Sequence, residues 1–327
     1  MVNTPPSRKS RQALIVSGVS LALVAFLIRE DWKDVYSILQ GRISPSLLWP
    51  FSLMALAIAL IYGYRWRLLL KLKLSHRASL IASALCLGGN MLLPARGGDL
   101  LRVHYSHLAA DMPHAEVLSR LFVEKVIDLV TIAAVGVLAS AFLRSSSVSV
   151  YSPVLTVFTV AALAIAIFAV IVVKCFGELL LICLQHLFKF LGRAAFFEKH
   201  VTRLIRDVDR NFTLSAIFLP SLITMTMWLS IYALSYVLAA KFVGVALSYQ
   251  ESLLVLFAGA VGLMLPAAPS GVGTFHASVV SAFVFLGRSP AEGVLVATAI
   301  HLLFFVAYVV PAAFLYGRWY FTRNIPG

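Results

Sequence analysis

The chain has 327 residues, of which 61% are hydrophobic and 13% charged, and its mean hydropathy is +0.92. Soluble domains are roughly half apolar and a quarter charged, so a water-soluble fold is excluded. The formal charge of +13 does not describe a nucleic-acid surface either. The basic residues fall in short segments between apolar runs, where membrane topology and anionic headgroups account for them, and no nucleic acid is expected as a partner.

Seven stretches carry no Asp, Glu, Lys or Arg: 13 to 28, 43 to 64, 78 to 95, 145 to 173, 211 to 240, 252 to 287 and 293 to 317. Several are long enough to cross a bilayer, which takes about 20 residues. The first follows Arg8, Lys9 and Arg11 in the manner of a signal peptide. No small-residue cleavage motif closes it, and Arg29, Glu30 and Asp31 follow directly, so it is expected to stay as a first span.

Lys and Arg divide the connecting segments into two classes. The N-terminus, the segment from Arg65 to Arg77, the segment from Lys174 to Arg210 and the C-terminus hold seventeen, which places them in the cytoplasm. The segments 29 to 42, 144 to 152, 241 to 251 and 288 to 292 hold six and should face outward. For this to close, the stretch from Ala78 to Asp111 must leave from and return to the cytoplasm, and that from Ser252 to Gly287 must do the same from outside. As a single helix the latter would run about 54 Å, far beyond a hydrocarbon core of about 30 Å. It must fold back, and the breaks are visible: Pro94 and Gly97 in the first stretch, Pro266 and Pro269 with Gly271 and Gly273 in the second.

Laid side by side, NMLLPARGGD from Asn90 and GLMLPAAPSGVG from Gly262 look like one device used twice. Interrupted apolar segments in corresponding halves are the mark of an inverted repeat with a midplane site. Two ordinary hairpins with coincidental Leu-Pro dipeptides are the plainer alternative. The fold class is therefore an all-α polytopic membrane protein of about six full spans plus two re-entrant helical hairpins. It forms one domain over 1–327, with an inverted repeat of approximately 13–143 and 211–316 joined by 153–210. Within the joining region, the segment from Phe176 to Arg210 reads as an amphipathic surface helix or a plain solvated one.

Ionisable groups inside apolar segments cost about 2.5 to 3.5 kcal/mol each and need a partner or a purpose. Arg96, Gly98, Asp99 and Arg102, with Asn90, surround the first break. Two guanidiniums beside a half-helix N-terminus suit a phosphate, while an Arg96–Asp99 pair that only caps the break is the structural alternative. Arg120, Glu124 and Asp128 recur every fourth residue and share one helical face, with Lys125 off to the side. They read either as partners for Arg96 or Arg102, including a proton relay, or as a structural ladder. At the second break stand Ser270, Gly271, Gly273, Thr274 and His276, with His301 ambiguous in the last span. His104 and His107 lack a third ligand, so no metal site or cofactor is expected. Cys86, Cys175 and Cys183 form no CxxC and read as small apolar packing residues. The Gly259 to Gly262 spacing points to close helix packing.

These residues resemble the transmembrane flippase module of lysylphosphatidylglycerol synthases and related stand-alone flippase-like proteins, over essentially the whole chain. That family carries N-x-x-L-P-x-R-x-G-E-x-x-R, E-R-x-x-D and P-G-G-x-G-x-x-E elements. The chain has Asn90, Leu93, Pro94, Arg96, Gly98, Asp99 and Arg102 for the first, and Glu124, Lys125 and Asp128 for the second. For the third it has Pro269, Gly271, Gly273 and His276. It departs with Asp99 for Glu, Lys125 for Arg, Ser270 for the first Gly, and His276 for the acid. The resemblance implies a headgroup cavity and movement of an anionic phospholipid or polyprenyl-phosphate-linked lipid between leaflets of the cytoplasmic membrane. It implies no catalysis, and the aminoacyl-transferring domain is not expected in a chain that stops about ten residues after its last span. A membrane transferase using Glu124 or Asp128 as base, and a non-transporting scaffold for envelope lipid assembly, are the competing readings. A membrane lipid with a phosphate headgroup is the expected partner, with room for a second copy of the chain or a separate lipid-modifying enzyme.

Overall fold

The structure, a computed structural model, describes residues 43–93, 96–143, 213–264 and 269–323, with isolated positions between 157 and 208. The expected first span, the amphipathic segment from Phe176, Cys175 and Cys183, and the break prolines Pro94 and Pro266 lie outside the described residues. Every regular element among the described residues is helical. Three helices are long and apolar enough to cross a membrane: Pro45–Leu69, Leu214–Phe242 and Pro290–Gly317. In the second, only 17% of the most apolar window is buried, as befits a surface turned to lipid tails. The chain is a multi-pass membrane protein.

Helix α1 (Leu48–Leu69) enters through a 3-10 turn, Pro45–Leu47, with proline where the missing N–H costs nothing. It ends where Lys71 and Leu72 both adopt positive φ and reverse the chain. Ser75 then caps α2 (His76–Leu92), its hydroxyl accepting from the Ala78 N–H at 3.1 Å. Leu93, the residue before Pro94, is extended at φ −100 and ψ 141, as the ring of a following proline requires. Arg96, left-handed at φ 57 and ψ 41, opens α3 (Gly97–Ala110), and α4 (His114–Leu143) follows.

In the second half, α5 (Leu214–Met227) and α6 (Ala233–Phe242) run on through a five-residue π-helical stretch, Trp228–Tyr232. Such stretches frequently accompany functional sites. Ser248 and Glu251 form a reciprocal capping box at the start of α7 (Tyr249–Met264). The break holds a 3-10 turn, Pro269–Gly271, with Ser270, Gly271 and Gly273 all at positive φ. Then come α8 (Thr274–Phe285) and α9 (Pro290–Arg323). Arg288, paired to Glu251 at 3.4 Å and Glu292 at 3.0 Å, ties the start of α7 to the start of α9.

Helices α2 and α3 form one packed pair, and α7 and α8 another. At 17, 14, 16 and 12 residues, all four are shorter than the about 20 residues that a crossing helix typically takes. Each pair is drawn together by glycine. A Cβ on Gly98 would lie 2.2 Å from the Cys86 carbonyl oxygen, and one on Gly262 would lie 2.7 Å from that of Thr274. Helix α2 also packs on α9 and on the Pro269–Gly271 turn, so the two broken segments meet inside the protein.

Candidate functional site

Two apolar clusters build the interior. One gathers α6 to α9 with parts of α1 and α4, and the other joins the end of α1 to α2, α3 and the start of α4. Buried charge lies along their seam. Arg65, placed by sequence at the edge of a cytoplasmic segment, is instead inside α1 and fully buried. Its guanidinium pairs with Glu124, with Asp128 at 2.6 Å, and donates to Thr224 Oγ1 at 2.8 Å. Thr224 in turn donates to the Pro220 carbonyl one turn earlier on α5. Arg102 meets the same Glu124 at two points, Nη1 to Oε1 at 3.1 Å and Nη2 to Oε2 at 2.5 Å. It lies 4.0 Å over the Trp66 ring and 5.1 Å over that of Tyr62.

Asp99 forms the next link. Lys125 Nζ is 2.9 Å from it, Arg102 3.6 Å and Arg96 3.7 Å, and the Cys86 thiol donates to it at 3.0 Å. The Asp99 N–H donates to the Asn90 side-chain oxygen at 3.2 Å, which fastens α3 to α2 beside the break. Several expectations are sharpened or corrected here. Lys125, off the face that Glu124 and Asp128 turn to Arg65, is an ion-pair partner of Asp99. Cys86 packs in the apolar core as expected, and it is also a hydrogen-bond donor to a carboxylate. Arg102 is fully buried, so of the two guanidiniums expected at the first break only Arg96 has free surface. Asp128 pairs with Arg65 and not with Arg96 or Arg102.

Arg120 leaves the group altogether. It is nearly buried, 3.8 Å from Glu116 on its own helix, and lines a separate pocket with Lys71, Thr213 and Ser215. The i, i+4 spacing does place Arg120 on the same strip of helix, but the neighbours of that strip change along its length. Gly98 serves helix packing rather than ligand approach, and Gly97 is the first residue of α3, against Leu93. His114 joins His104 and His107, with the His107 and His114 rings stacked at 3.7 Å. Among the described residues no three such side chains are arranged to hold a metal.

Arg96, half exposed, walls a cavity of about 190 Å³ where the two broken segments meet. Of the residues expected from sequence, Asn90, Arg96, Ser270 and Gly271 line it. Ser270 bonds to His301 Nε2 and donates to Met91 Sδ at 2.9 Å, bridging the halves. Thr274 faces back to the Gly271 carbonyl at 3.1 Å, and His276 stacks on His301 at 5.2 Å instead of lining the cavity. Sequence reasoning missed the aromatic wall of Tyr232, Tyr236, Phe275, Phe304 and Tyr308. In a chain this apolar, a tyrosine beside a cavity looks like a tyrosine beside lipid.

The family described as Lysylphosphatidylglycerol synthase TM region matches residues 13–312. The chain is also similar to the glycosyltransferase AglD of Haloferax volcanii, 30% identical over 132 residues, which are 38% of this chain and 21% of that protein. It therefore spans about a fifth of that relative's length. No solved structure matches it.

Proposed function

The chain belongs to the lysylphosphatidylglycerol synthase transmembrane family, and from that premise we propose that it moves an anionic phospholipid or a polyprenyl-phosphate-linked lipid between leaflets of the cytoplasmic membrane. In this reading the α2–α3 and α7–α8 pairs dip into the bilayer from opposite faces, as the two halves of an inverted repeat. Both termini are cytoplasmic. The headgroup docks in the cavity between the breaks and crosses as one half rocks against the other.

The observation that carries the reading is the position of Arg96. The buried network joins four cations, Arg65, Arg96, Arg102 and Lys125, to three carboxylates, Asp99, Glu124 and Asp128. One positive charge is left over. Arg96 is the guanidinium of that network with free surface, and it stands in the cavity wall. A guanidinium there can take two phosphate oxygens at once, in surroundings where screening by water is weak. The membrane-transferase reading finds less support, since Glu124 and Asp128 are held by arginines and the cavity wall contains no carboxylate among the described residues.

The test is leaflet exchange of fluorescent anionic lipids in proteoliposomes, comparing wild type with Arg96→Ala. Exchange above protein-free vesicles for the wild type and near that background for the variant is expected. Equal rates in the two proteins would overturn the reading, and so would consumption of a lipid-linked donor without exchange, which is the behaviour of a transferase.

A further inference from the structure

A second cavity, of about 350 Å³, lies apart from the breaks, where the end of α1, the early turns of α4 and the start of α5 come together. Its polar wall is made of donors. Arg120 is 4% exposed, its Nε has no hydrogen-bond partner, and its Nη2 is 3.8 Å from Glu116, beyond hydrogen-bond length. Lys73 draws the same Glu116 oxygen at 3.3 Å, and Asp207 is the other carboxylate acting on Arg120. Lys71 also lines the cavity, exposed and without an ion pair among the described residues. Lys71, Lys73 and Arg120 thus set three positive charges against two carboxylates, and neither carboxylate is among the described residues of the cavity wall.

Helix α5 adds to this wall through Thr213, Ser215 and Ala216. Thr213 is the N-cap residue, yet its hydroxyl caps nothing and lies 3.4 Å from that of Ser215. One contact uses one of the two hydroxyl hydrogens and leaves the other to donate. No acidic residue stands in the first turn, so the positive end of a 14-residue helix is uncompensated there. A buried guanidinium with an unmatched N–H, a lysine, a spare hydroxyl and a helix start all ask for the same thing, an anion with several oxygens.

The opposite wall says what carries that anion. Leu68, Val123, Leu219 and Pro220 form it, and α5 continues with Leu214, Phe218 and Leu222 exposed along a crossing helix. A soluble anion has no use for such a wall, whereas the tails of a lipid do.

We propose that this cavity is a second phosphate site, which takes the headgroup phosphate of a lipid in the leaflet that the proposed topology makes cytoplasmic. Arg120 and Lys71 bind the phosphate oxygens, a hydroxyl of Thr213 or Ser215 donates to one of them, and the acyl chains lie on α5. The site uses that topology but does not depend on lipid movement. Its walls are α1, α4 and α5, so an occupant stabilises their packing by mass action.

The experiment measures equilibrium binding of dihexanoyl phosphatidic acid, dihexanoylglycerol and inorganic phosphate to the full chain in detergent, in wild type and in Arg96→Ala. Phosphatidic acid is expected to bind the Arg96→Ala protein at least about tenfold more tightly than either other probe, and Arg120→Gln in that background should remove about tenfold, the worth of a hydrogen bond to a charged group. Lys71→Gln should weaken binding in the same direction. Location is read separately: with Cys86, Cys175 and Cys183 replaced by serine, phosphatidic acid should slow maleimide labelling of Leu219→Cys, and should no longer do so once Arg120→Gln is added. Equal affinity in Arg120→Gln and its parent, labelling at Leu219→Cys that the lipid does not slow, or inorganic phosphate binding as tightly as the lipid would each overturn the proposal. Should Arg120→Gln fail to fold, Lys71→Gln, a change at an exposed side chain, and the Leu219→Cys labelling decide alone. Lipid exchange that survives Arg96→Ala sinks the transport reading and leaves this site standing.

Discussion

Arg102 and Glu124 are both fully buried and meet at two points, one guanidinium facing one carboxylate, and Arg65 reaches the same carboxylate from a third helix. Glu124 thus holds α1, α3 and α4 to a common point. Removing it as Glu124→Ala leaves Arg102 with Asp99 alone, at 3.6 Å, and Arg65 with Asp128, and breaking a buried pair costs about 3–5 kcal/mol. Thermal unfolding in detergent should show a large fall in melting temperature. The double replacement Arg102→Met with Glu124→Leu should recover part of it, because it also removes the buried guanidinium that lost its two-point partner.

Gly98→Ala puts a Cβ 2.2 Å from the Cys86 carbonyl and 2.4 Å from the Asn90 amide nitrogen. Both are backbone atoms of a helix and cannot rotate aside. Overpacking usually costs about 1–3 kcal/mol, and a clash with rigid backbone belongs at or above the top of that range. The variant should accumulate poorly, or elute as aggregate on size exclusion, whereas Gly287→Ala, with nothing within 4 Å of the added carbon, should differ only through its φ of +70. Equal yields of folded protein for Gly98→Ala and wild type would contradict the close α2–α3 contact.

Met91 and Ser270 touch across the two halves at 2.9 Å. With Cys86, Cys175 and Cys183 replaced by serine, Met91→Cys with Ser270→Cys should be joined by a short bifunctional thiol reagent, read as loss of maleimide labelling. If the halves rock during transport, the linked protein should exchange lipid at the background rate and recover on reductive release. A pair that fails to link would separate the two breaks and remove the basis of a shared cavity.

Cys86 is buried and donates to Asp99. In protein with Cys175→Ser and Cys183→Ser, a maleimide should label it only on the timescale of unfolding. Asp99→Asn, which removes a counter-ion from Lys125, Arg102 and Arg96, should bring that labelling forward to lower temperature.

The membrane fold was legible because composition and uncharged run length are properties that no tertiary detail can hide. The breaks were legible for a related reason: Leu93 is extended because Pro94 follows it, a local constraint. The charge network was legible only in part. Glu124 and Asp128 stood out inside an apolar helix, but Arg65 sat at the end of an uncharged run, where a cation reaching for headgroups and a buried cation look the same. Which helix the Arg120–Asp128 face meets is decided by packing between α4 and its neighbours, and spacing along one helix does not contain it. The aromatic wall was invisible for the same reason.

Arg96 occupies a left-handed conformation that a side chain with a Cβ adopts at a cost, and it does so at the joint before α3. Its guanidinium lines the cavity and its backbone is the joint from which α3 starts, so a group held by the one pulls directly on the other. On the proposed function, cargo and lever arm would be coupled through a single residue, without any intervening relay of side chains.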